Sequence, residues 1–101
     1  MPYHQAIQKF HDQLIAAGVS DQAAAFTSGK ISSSILEEVM QHVEATVGEA
    51  ELAQLENLEV AEQAKKIEEI YQQKTGQTVG EYRDQLAEKK LAEFEAAAAG
   101  E

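Results

Sequence analysis

The chain has no cysteine and no tryptophan, a single proline, and only three tyrosines and three phenylalanines. The lack of cysteine excludes disulfides, thiolate chemistry and zinc–sulfur sites, and it removes cysteine usage as a guide to redox compartment. With so few rings, a stacking platform for single-stranded nucleic acid is not expected. The one proline stands at position 2, where it suits a first helical turn, so no later residue is barred from a helix by proline. No apolar run approaches the ~20 residues that a membrane span needs. The opening Met1-Pro2-Tyr3-His4-Gln5 lacks the basic and apolar regions of a signal peptide. The default expectation is therefore a cytoplasmic protein with no membrane partner.

The most informative absence is one of charge. Between Lys30 and Lys65 there is no Lys or Arg, yet Glu37, Glu38, Glu44, Glu49, Glu51, Glu56, Glu59 and Glu62 all fall there, supplying −8 of the chain's −10. A field of one sign repels nucleic acid and anionic lipid and attracts basic partners. It also costs stability by self-repulsion, so a function that favours keeping it is worth seeking.

What is present is helix-forming sequence, rich in Ala, Glu, Gln, Leu and Lys. The pattern predicts an all-α fold, a small bundle of four to six short helices in a single domain over residues 1–95, with an Ala-rich, frayed tail at 96–101. Ile7, Phe10 and Leu14 give a first helix from about Pro2 to Ala17 one apolar face, and Gly18 fits its end. Ser20 and Asp21 open a short helix expected to stop near Ser28-Gly29. After a connector from Lys30 to Ser33, Ser34-Ile35-Leu36-Glu37 has the form of a capping box and predicts a new helix. Its apolar face is Ile35, Leu36, Val39, Met40 and Val43.

Two further capping boxes follow, Thr46-Val47-Gly48-Glu49 and Thr78-Val79-Gly80-Glu81. Between them, Leu52, Leu55 and Leu58 predict the buried line of a short helix, and residues 59–74 a longer one ended by Thr75-Gly76. The two Thr-Val-Gly-Glu runs, with Leu36–His42 paralleling Ile67–Gln73, suggest a weak repeat of two helix–turn–helix hairpins. The last helix can project beyond the bundle. The expected core is Ile7, Phe10, Leu14, Phe26, Leu36, Val39, Val43, Leu52, Leu55, Ile67, Tyr71, Tyr82 and Leu86.

Candidate chemistry is sparse. His4 and His11 lie seven apart, not at the i, i+3 or i, i+4 spacing of helical metal pairs. Glu38 and His42 do have i, i+4 spacing, but the second motif that a di-iron bundle needs is missing, with Gln73 in the place parallel to His42. Adjacent carboxylates such as Glu37-Glu38 and Glu68-Glu69 point about 100° apart on a helix and read as solvated, not as an acid–base pair. No nucleophile turn or phosphate loop is present. Most late bases have an acid one helical turn away; Lys74 and Arg83 do not.

The run from Ser34 to Phe94 is similar in pattern to short acidic helical proteins of bacteria. That resemblance rests on no specific motif, implies no activity and carries over no functional residue. The expectation is of a protein that is not an enzyme and has no metal or cofactor. It would be an interaction module offering either an acidic helical face to a basic protein partner or an apolar groove to a partner helix. Glu37, Glu44 and Glu51, spaced by seven, are the candidate partner-binding residues. Three alternatives stand beside it. One is an acidic mimic of nucleic acid that inhibits a DNA- or RNA-binding protein, without itself binding nucleic acid. Another is a self-assembling structural protein, a homo-oligomer. The last is a metal or enzyme site at His42 and Glu38.

Overall fold

Apart from Met1 and Pro2, every described residue outside the helices belongs to a short connection. In a computed structural model, which describes residues 1–99, the order is α1 (Tyr3–Ala16), α2 (Asp21–Val47), α3 (Glu49–Gln54), α4 (Val60–Thr75) and α5 (Val79–Ala99). The chain is all-α, with five helices and no strand among the described residues. Two compact units share it: unit 1 is Met1–Leu36 with Arg83–Glu101, and unit 2 is Glu37–Tyr82.

The largest departure from the sequence reading is α2. It runs 27 residues without a break, so the expected stop at Ser28-Gly29, the Lys30–Ser33 connector and the Ser34 cap are all helix interior. A glycine inside a helix costs only about 1 kcal/mol relative to alanine, which burial of one helix face readily outweighs. That face is Ala24, Ser28, Ile35, Val39, Val43 and Val47, all buried at helical spacing. Continuity also fixes the phase of two expected core residues. Phe26 sits two positions from Ala24, about 200° around the helix, and is 65% exposed. Leu36 sits one position off Ile35 and is 43% exposed.

In unit 1, α1 and α5 lie together. The rings of Phe10 and Phe94 meet with centroids 5.2 Å apart, and Gln13 Nε2 donates to Glu95 Oε1 at 2.9 Å. Beyond Glu95, α5 carries only exposed alanines through Ala98; Gly100 and Glu101, the end of the expected tail, lie outside the described residues. Tyr3 is buried, its hydroxyl hydrogen-bonded to Ser32 on α2 and its ring under the Arg83 guanidinium at 5.0 Å.

In unit 2, Tyr71 of α4 has no exposed surface, and His42 of α2 meets its ring edge-on with centroids 5.7 Å apart. Gly48, at φ +94°, adopts a conformation that side-chain-bearing residues avoid, and it separates α2 from α3. Gly76, at φ +76°, ends α4 in the left-handed region as expected. The expected buried leucine line is not formed: Leu52, Leu55 and Leu58 are half-buried, because α3 is only six residues long and stops at Gln54.

The two Thr-Val-Gly-Glu runs behave differently. Thr78 and Glu81 form the reciprocal cap, Glu81 N–H donating to Thr78 Oγ1 at 3.0 Å and Thr78 N–H to Glu81 Oε1 at 3.3 Å. Thr46 lies inside α2 and turns its hydroxyl back to the His42 carbonyl at 2.8 Å, leaving Gly48 as the N-cap of α3 with no side-chain bond. Ser20 caps α2 as expected, accepting from Ala23 N–H at 3.3 Å.

Candidate functional site

Unit 2 holds eleven acidic residues and three basic ones, a net of −8, so the base-free acidic stretch seen in the sequence is concentrated in one folded unit. Against that field the unit leaves a groove of about 350 Å³ open. Val39, Met40 and Val43 of α2 form one wall, and Ala64 and Ile67 of α4 with Val79 of α5 form the other. Two carboxylates, Glu44 and Glu68, stand at its edge. Met40 is 62% exposed and lines the apolar cleft.

The groove is positioned by polar contacts that anchor helix ends from other helices. Lys74 of α4 donates to the carbonyls of Val47 at 3.0 Å and Thr46 at 3.2 Å, at the C-terminus of α2. It also pairs with Glu51 of α3 at 3.4 Å. No base lies in the last turn of α2 itself, so the cation that its dipole favours comes from α4. Glu68 accepts from Val79 N–H at 3.1 Å, placing a carboxylate at the N-terminus of α5. Unit 1 repeats the device, Tyr3 N–H at the start of α1 donating to Asp84 Oδ1 of α5 at 2.8 Å.

Behind the groove, His42 lies flat against Tyr82, centroids 4.0 Å apart and planes 18° apart. Its Nε2 shares a 3.1 Å hydrogen bond with the Tyr71 hydroxyl. Burial pushes the Tyr71 hydroxyl above its ordinary pKa of 10.0, with the negative charge of Glu68 adding to it. The arrangement is a packed aromatic support for α2, α4 and α5.

The three candidate glutamates divide. Glu37 and Glu44 are exposed on α2 at i and i+7, with Met40 between them on the same face. Glu51 is on α3, past the Gly48 break, and is engaged by Lys74. Among the described residues, no three His, Asp or Glu side chains gather as metal ligands would. The sequence reading assigned Lys74 and Arg83 no role. The signal was the one noted in the sequence: each lacks an acid one turn away, and each finds its partner across the fold. No helix among the described residues is long and apolar enough to cross a membrane. Compared with protein-family models, curated proteins and solved structures, the chain matches none.

Proposed function

We propose that unit 2 is a non-enzymatic recognition module for an amphipathic protein helix with basic flanks. The partner's apolar stripe would enter the groove between α2 and α4, and its Lys or Arg residues would meet Glu37 and Glu44. Glu51 contributes to the field from α3 while pairing with Lys74. The observation that carries this reading is Met40: an exposed apolar residue at the lip of the groove, between two exposed glutamates, in a unit of net −8.

The test is calorimetric titration with a basic amphipathic helical peptide at two ionic strengths. Glu37→Lys with Glu44→Lys should weaken binding several-fold at low salt and much less near 1 M salt, where the Debye length is about 3 Å. Met40→Glu should weaken it at both. Affinity indifferent to all three changes would remove this reading.

The same net charge supports a second one, an acidic mimic that occupies the nucleic-acid site of a basic protein. Competition with DNA for that protein would be its signature, and Met40→Glu would then leave binding intact. A self-assembling chain is the third reading. In it the Met40 lip is covered by another copy, and the native mass is a multiple of the monomer's.

A further inference from the structure

Unit 1 holds a second recess, of about 430 Å³, whose rim has the opposite character. Its apolar floor is Phe10 of α1, Ile31 and Ile35 of α2 and Phe94 of α5. Phe10 and Ile35 are buried, and the Phe10–Phe94 ring contact holds two helices in place beneath it. The polar rim is Lys30 and Ser34 from α2 with Lys90 and Glu93 from α5. The volume falls within the roughly 300–1,000 Å³ of small-molecule sites, which pair apolar walls with a few placed polar groups.

Charge decides the ligand class. In a chain of net −10, two ammonium groups and one carboxylate surround this recess, a local net of +1. Lys30 has no acid within one turn of α2 and no ion pair among the described residues; its Nζ lies 5.1 Å from the centroid of the exposed Phe26 ring. A rim of +1 suits a monoanion, and Glu93 opposes a dianionic phosphate head. The floor offers an aliphatic or aromatic body no hydrogen bonds to make.

We propose that this recess binds a free amphipathic monocarboxylate, of which a medium-chain fatty acid is the simplest form. The hydrocarbon would lie on Phe10, Ile31, Ile35 and Phe94, with the carboxylate toward Lys30 and Lys90 and the Ser34 hydroxyl a further donor. The site is independent of the groove in unit 2.

The test is a titration of the ¹⁵N-labelled full chain with decanoate, decanol and decyltrimethylammonium, each below its micelle concentration. The expected result is saturable one-to-one binding of decanoate, with shifts at the four floor residues and none for the cation. Lys30→Gln with Lys90→Gln, both at the rim, should keep the helical circular dichroism while weakening decanoate about tenfold or more, the scale of a lost charge-assisted hydrogen bond. Decanol should be weaker than decanoate by a similar factor. The proposal is overturned by any of four results: no saturation, equal affinity for decanol, unchanged affinity in the double variant, or shifts confined to unit 2. Association only with vesicles containing fatty acid, and not with monomeric decanoate, would equally overturn it.

Discussion

Tyr71 has no exposed surface, and its hydroxyl meets His42 Nε2 at 3.1 Å while His42 stacks on Tyr82. Replacing it with phenylalanine keeps the ring and removes one buried hydrogen bond. Tyr71→Phe should therefore cost about 1 kcal/mol at neutral pH, measured by urea unfolding. The pH dependence has a definite sign. The hydroxyl is raised above 10.0 in the fold, so its neutral form contributes stability that is complete below that pH and is lost as pH rises through the folded value. As pH rises past 10.0, the stability of the parent chain should fall more steeply than that of Tyr71→Phe. Equal slopes would contradict the burial of this hydroxyl.

Elements show where local sequence signals decide the fold and where they do not. Gly29 lies inside α2, and a Cβ placed there would meet nothing within 4 Å. Gly29→Ala should raise stability by about 0.5–1 kcal/mol, whereas Gly48→Ala, forced to φ +94°, should lower it by about 1 kcal/mol or more, both read from thermal unfolding. If Gly29→Ala destabilised the chain, the continuous α2 would be wrong. The twin Thr-Val-Gly-Glu runs allow a matched comparison. Thr78→Ala should cost about 1 kcal/mol through its lost cap, and Thr46→Ala should cost clearly less, since Thr46 only turns back onto its own helix.

The ends of α1, α4 and α5 were legible in the sequence, because Gly18, Gly76 and the Thr78–Glu81 box act within a few residues. The continuity of α2 was not. Its Gly-Ser-rich middle reads as a break locally, and only the buried stripe from Ala24 to Val47 holds it helical. Phe26 and Leu36 were misplaced for the same reason, since an imagined break resets helical phase. The apolar face with Val39, Met40 and Val43 was readable, but α4 decides that Met40 stays outside. The helix-end anchors Glu68 and Asp84 were invisible because each acts on another helix, and Lys74 was marked only by the lack of an acid one turn away.

For the whole molecule, charge is unevenly spread: unit 2 carries −8 and unit 1 the remaining −2. Raising salt from about 0.01 M to about 0.1 M shortens the Debye length from about 30 Å to about 10 Å. Thermal stability should therefore rise by a few degrees as the acidic unit's self-repulsion is screened. A fall in melting temperature would mean that attractive pairs such as Lys74–Glu51 outweigh the repulsion. In the proposed reading the acidic field and the groove are separable contributions: the field would gather basic partners, and the apolar walls would select among them.

The most direct test of that division is a ¹⁵N correlation spectrum of the full chain titrated with a basic amphipathic helical peptide. The expected result is saturable shifts at Val39–Glu44, Ala64–Glu68 and Val79, abolished or strongly weakened by Met40→Glu. Shifts spread evenly over the acidic surface and indifferent to Met40→Glu, or no saturable shifts at all, would contradict a helix-binding groove.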